Sequence, residues 1–402
     1  MTEQSVTADV KPSNLNEKTA VDHLMALLAV EGLSGEEAEV SREIRKRLEN
    51  IGCRPSWIRH DNAHKRIGMN YQVGNLIVRI PGKGSLRNQP RRMFSGHMDT
   101  VPLCRGAVPV IKGPRIVSSG RTALGGDNRT AVAAMVTLVE TLLSDAQSRP
   151  PIKLLFTVGE ETGLNGAKEV RMQDLGNPAM GFNIDGGNPK FAIVGAIGAD
   201  RWVAGVHGRS THAGVYPQGG ISATLIASRA ISKVAEKGFF GKIDVDGQQG
   251  TSNIGMISGG EATNQVTDFV RVTGECRSHS KSFLKKITSE YRKAFEEAVA
   301  ETPNNRGDKG RVEFDAERDY DAFKMSSRAE PVVIIKKAVK QMSGEAILLI
   351  ADGGLDANYL NLKGLPTVTL GAGAHGAHTI DESVVIAEYL DACRLLPLLA
   401  TC

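Results

Sequence analysis

The run Lys153-Leu-Leu-Phe-Thr-Val158 is almost wholly apolar for the length of a strand, then breaks on Gly159-Glu160-Glu161, two adjacent carboxylates. A strand without polar alternation has to be covered on both faces, which is the condition of a parallel strand in an α/β sheet. Strand-like runs of the same kind are Asn75–Ile80, Arg92–Gly96, the shorter Gly181–Ile184 and Pro366–Leu370. Amphipathic helices are interleaved with them. Residues 17–31 space Val21, Leu24, Leu27 and Leu28 at three to four, and 35–51 repeat this with Val40, Ile44, Leu48 and Ile51. Arg129–Leu143, Pro331–Met342 and a closing helix from Ser383 towards Leu399 follow. The pattern predicts an α/β fold with a mixed, mostly parallel sheet covered by helices.

From about residue 198 the texture changes to strand (Arg201–His207), helix (Ser222–Glu236), strand (Thr251–Ile257), strand (Phe269–Cys276), helix (Phe283–Ala300) and strand (Arg311–Ala316). That β-α-β-β-α-β order is the ferredoxin-like arrangement. A length of 402 residues suits two domains. We therefore read 1–16 as a flexible tail, 17–197 and 320–402 as one domain, and 198–319 as an insertion. Lys and Arg number 49 against 45 Asp and Glu, with no long basic run, so nucleic acid is not an expected partner. No apolar run approaches the roughly 20 residues of a membrane-spanning helix, and a membrane is not expected either. Five cysteines without paired spacing read as free thiols in a reducing, cytoplasmic compartment. Cys104 is taken as a bystander.

Five segments carry acidic or histidine residues at the expected carboxyl ends of strands, where open α/β sheets place their sites. In Gly96-His97-Met98-Asp99, the histidine and the aspartate are two apart and face the same way on a strand. A metal-binding histidine needs its second ring nitrogen held, and a carboxylate commonly does so. Asp127-Asn128 precedes a helix and taken alone reads as capping. Glu160 and Glu161 end a buried strand, where unpaired charge is costly, and a nearby cation would explain them. Asn183-Ile184-Asp185 repeats the theme, and His375-Gly-Ala-His378 offers two imidazoles. Oxygen and imidazole donors without thiolate suit catalytic zinc, with cobalt or manganese as alternatives.

Taken together, these motifs resemble those of the two-zinc exopeptidase and deacylase superfamily, which includes glutamate carboxypeptidases, aminoacylases and acetylornithine deacetylase. Gly208–Gly214, Gly259–Asn264, Arg277-Ser278-His279 and Asp352–Asn358 are most similar to the peptidase T-like branch. The resemblance implies a zinc-exopeptidase-like catalytic domain with an inserted lid or dimerisation domain, and two divalent metal ions. It implies that Asp127 bridges the ions, that His97 and Asp185 complete one ligand set, and that Glu161 and His378 complete the other. Asp99 orients His97, and Glu160 is the general base. His378 is preferred to His375 because His-Thr-x-x-Glu matches the family, with Glu382 opening the closing helix. Relatives carry a cis peptide after the bridging aspartate, which here is Asp127–Asn128. In the insertion, His212 is expected to stabilise the oxyanion, within its own or a partner subunit, and Asn264 and Arg277 to hold substrate carboxylate or backbone.

The implied reaction is hydrolysis of the N-terminal peptide bond of short peptides. An amidase, deacylase, dipeptidase or carboxypeptidase acting on N-acyl amino acids or dipeptides is the alternative, and a catalytically inactive binding protein is a distant one. A homodimer through the inserted domain is expected by analogy. Gly371-Ala-Gly-Ala-His-Gly376 has the spacing of a dinucleotide-binding loop, but it lies too near the carboxyl terminus for the βαβ unit which that function needs.

Overall fold

In the computed structural model, strand Ile152–Thr157 lies between Leu76–Ile80, which runs antiparallel to it, and Arg92–His97, which runs parallel. Residues 15–68, 70–145 and 147–401 are described. Most of the expected tail, and Cys402, lie outside them. The sheet continues through Met180–Ile184 and Thr367–Leu370, both parallel, to Phe191–Ala196, which is antiparallel. The fold is α/β with a mixed sheet, and its parallel part is confined to four central strands.

Both faces are covered, as the apolar runs require. Ile152, Leu154 and Phe156 point into a large core with helices Glu17–Leu28, Ala38–Asn50, Gly126–Ser144, Glu330–Gln341 and Ile386–Thr401. Leu155 points the other way, towards Val170, Leu175, Leu360 and Leu365. Helix Gly126–Ser144 is central, with Ala131–Val136 all buried, so it reads as apolar nearly all round.

One element departs from the sequence reading. Ser383–Val385 is a strand paired antiparallel with Arg115–Ser118, and the closing helix begins only at Ile386. Adjacent Val384 and Val385 favour the extended form, so Glu382 leads into a strand and does not open the helix.

The chain forms two compact units. The first holds the described residues up to Gly195 together with Lys324–Ala351 and the described residues from Leu355 onwards; the second holds Ala196–Phe323 and Asp352–Gly354. In the second, an antiparallel sheet runs in the order Gly241–Val245, Gln248–Gly259, Phe269–Ser278, Gly198–His207, Arg311–Tyr320. Helices Ala223–Glu236 and Lys281–Ala300 share a core with it around Trp202, Tyr291 and Phe295. Without its first strand this is the ferredoxin-like order; Gly241–Val245 is an added edge strand. Among the described residues no helix is long and apolar enough to cross a membrane.

Candidate metal centre

All five acidic or histidine segments fall in the first unit. His97 ends its strand and is buried. Its Nδ1 lies 3.0 Å from the Asp99 carbonyl oxygen, to which it can only donate. In the neutral ring this leaves the Nε2 lone pair facing Asp127 Oδ1, at 3.0 Å. Asp127 follows the turn into helix Gly126–Ser144, and the Asp127–Asn128 peptide is cis. The other oxygen of Asp127, Oδ2, lies 3.8 Å from His378 Nε2. His378 Nε2 is in turn 2.9 Å from Glu161. The Asp127 carboxylate therefore stands between two imidazoles, one facing each oxygen.

Ligand atoms of His97, Asp127 and Glu161 lie within 4.8 Å of one another. Asp185 follows strand Met180–Ile184, its N–H donating to the Leu370 carbonyl at 2.7 Å. Burial pushes the Asp185 carboxyl well up, and Asp127 adds to this. Glu160 is likewise raised by burial, with Asp185, Asp356 and Glu161 contributing. Burial works against charge on His97, but Asp127, Asp99 and Glu160 outweigh it and hold its pKa well above the ordinary value. The hydrogen bond with Glu161 lifts His378 to about 9. Buried carboxylates that repel one another, with imidazole nitrogens turned towards them, form the donor set of a divalent cation. The residues fit the metals that the resemblance implies.

Asp99 sits behind this set. Burial opposes its charge, but the His97 ring, the Ser34 hydroxyl and the Glu160 N–H hold its pKa below the usual value. His375 is turned elsewhere, paired with Glu388. Cys104 is buried and its thiol is pushed up to about 12, which suits a bystander.

Two acids of this centre were not among the site residues of the sequence reading, in which Glu382 only opened the closing helix and Asp356 only belonged to a matching run. Glu382 accepts from the N–H groups of Leu124 (2.8 Å), Gly125 (2.7 Å) and Asp127 (2.8 Å), and so holds the turn that presents Asp127. Asp356 is buried on helix Asp356–Leu362, accepts the Thr157 hydroxyl on Oδ2 and is raised to about 6 by burial. Its Oδ1 has no hydrogen-bond partner among the described residues. The Asp352–Asn358 run contains Asp356, but nothing in its local spacing reveals a neighbour two hundred residues away.

The remaining three residues lie in the second unit. His212 Nδ1 accepts from the N–H groups of Gly214 (3.1 Å) and Val215 (3.2 Å), which puts the ring proton on Nε2. The Asn264 carbonyl accepts the Ala213 N–H at 2.9 Å, so these two residues belong to neighbouring loops. Arg277 presents Nε and Nη2 to Glu275, at 2.9 and 3.1 Å, so its fork is already engaged by a carboxylate.

The sequence profile of Peptidase family M20/M25/M40 matches residues 93–401. The uncharacterized protein YqjE of Bacillus subtilis (strain 168) is 31% identical over 383 residues, covering 95% of this chain and 97% of that protein. Among solved structures, aminopeptidase PepT from Bacillus cereus ATCC 10987 aligns with a TM-score of 0.82 at 29% identity, over 96% of this chain and 98% of its own. A tripeptidase from Staphylococcus aureus subsp. aureus Mu50 aligns with a TM-score of 0.84 at 28% identity, over the same shares.

Proposed function

The chain belongs to peptidase family M20/M25/M40 and is a metallohydrolase, and we propose that it removes the N-terminal residue from short peptides, tripeptides first. The observation that carries this is the Asp127 carboxylate set between His97 and His378, with Glu160 buried among the same acids. The likeness to an aminopeptidase and a tripeptidase over nearly the whole chain supports the substrate class.

In this reading two divalent ions would be held by His97, Asp185, Glu161 and His378, with Asp127 shared between the His97–Asp185 and the Glu161–His378 sets. Zinc is the proposed metal, with cobalt or manganese as substitutes. When bound, the pair supplies Lewis acidity, polarising the scissile carbonyl and acidifying water. Glu160 takes a proton as the water oxygen bonds to the carbonyl carbon, and delivers it to the amine nitrogen as the C–N bond breaks. Asp99 keeps His97 in the tautomer that turns Nε2 inward. His212, with its proton on Nε2, is the proposed donor to the carbonyl oxygen. Asn264 and Arg277 are proposed to hold substrate backbone or carboxylate, Arg277 through an exchange with Glu275.

A substrate panel with zinc, cobalt or manganese supplied tests the reading. Tripeptides should be cleaved with release of the first residue, and N-acyl amino acids left intact. The reverse pattern would replace the aminopeptidase assignment with a deacylase. Association of two chains through the second unit is part of the proposal, and analytical ultracentrifugation would detect it.

A further inference from the structure

The turn Val158–Glu161 carries both the proposed base and a proposed ligand, and its backbone is held in an unusual way. Four successive N–H groups are each taken by a side chain from elsewhere in the sequence. Val158 donates to Asn75 Oδ1 at 3.1 Å and Gly159 to Glu37 Oε1 at 3.0 Å. Glu160 and Glu161 donate to the two oxygens of Asp99, at 3.0 and 3.1 Å. Asn75, Glu37 and Asp99 are all fully buried.

Each of the three is itself fixed. Asn75 Nδ2 donates to Asp61 Oδ2 (2.9 Å) and to the Gly166 carbonyl (3.0 Å). Glu37 Oε1 also accepts the Gly35 N–H at 2.9 Å, and the Ser34 hydroxyl donates to Asp99 at 2.6 Å. The turn is approached so closely that a Cβ on Gly159, at φ +57°, would lie 2.0 Å from the Tyr71 hydroxyl. Burying a carboxylate to bind main-chain amides is costly, and here the amides are those that aim Glu160.

We propose that Glu37 and Asn75 are positioning residues for Glu160, fixing the backbone of its turn so that its carboxylate meets the water and the departing amine at reactive distance. The proposal rests on the reading of Glu160 as the base. A displacement of about 1 Å at such a group can lower the rate on the order of a hundredfold.

The test compares Glu37→Leu, Asn75→Leu, Glu37→Gln, Glu160→Ala and Glu37→Leu/Glu160→Ala in the full chain loaded with zinc. Readouts are kcat and KM on one tripeptide, bound zinc and the melting curve. Glu37→Leu and Asn75→Leu should each lower kcat about 30- to 100-fold, with KM within about threefold and both ions retained. Glu37→Gln keeps an oxygen for the Gly159 N–H and should restore most of the lost kcat. The double variant should be no slower than Glu160→Ala. Wild-type kcat in either leucine variant, a Glu37→Gln enzyme as slow as Glu37→Leu, or a loss that tracks lost zinc would overturn the proposal. Should one leucine variant fail to fold, the other carries the test. An active Glu160→Ala enzyme would remove the base assignment and this inference with it. An inactive one beside normal leucine variants would remove this inference alone.

Discussion

Glu160 and Glu161 are neighbours with different surroundings. Glu161 faces His378 at 2.9 Å, whereas Glu160 is pushed up by burial and by the acids around it. Replacing Glu160 by alanine should lower turnover about 10²- to 10⁴-fold while zinc content stays at two per chain; loss of zinc would make it a ligand instead. Asp127→Ala should leave neither ion tightly held, as read by metal analysis after dialysis. The His97, Glu160–Glu161 and Asp185 segments were legible in the sequence because they end buried strands, whereas Asp127, which opens a helix, and His378 stood out only through the resemblance; Glu37, Asn75 and Asp356 were not legible, because their partners are remote in sequence. Lys153 offers a separate case, opposite Arg79 on the neighbouring strand. Burial brings its ammonium down to about 8, helped by Arg91, Arg59 and Arg79 and opposed by Asp174. Its ordinary value is 10.5, so between pH 8 and 10.5 the unfolded chain binds the extra proton and stability rises with pH. Lys153→Met should therefore stabilise the protein at pH 7, on the order of 1–2 kcal/mol after screening. The advantage should fade through that window in denaturation curves taken across pH.

At the level of elements, periodicity located most helices and the buried strands, because their faces contact one continuous core. It missed Gly241–Val245, where Ile243 alone is buried and the alternation with exposed Lys242 and Asp244 lasts only five residues. The signal was in the turn: Asp246 and Gly247 both have positive φ, at 54° and 73°, the two-residue hairpin for which Asp-Gly is favoured. Gly247→Val should destabilise the second unit by about 1–2 kcal/mol, seen in the full chain as a lower midpoint of that unit's transition, with turnover unchanged. Gly247→Asn should lose much less. The closing helix misled for the opposite reason. Ser383–Val385 continues its apolar pattern, but pairing with Arg115–Ser118 draws those residues into a small sheet. That pairing leaves Glu382 beside the Asp127 turn.

For the whole molecule, two compact units, each with its own core, imply two melting transitions. Ions bound only by the folded first unit add stability as the logarithm of their excess, about 2.7 kcal/mol at a hundredfold excess over Kd for each site. Chelation should lower one calorimetric transition by several degrees and leave the other in place, and added zinc should restore it. A single transition that ignores chelator would contradict this. The grip on the Val158–Glu161 turn has a consequence for biosynthesis. Its side chains come from residues 37, 75 and 99, while His378 and Glu382 belong to the last part to be made. Every side chain that grips the turn precedes it in the chain, so the turn can be held before His378 and Glu382 are made, and the proposed centre is completed only by those last residues.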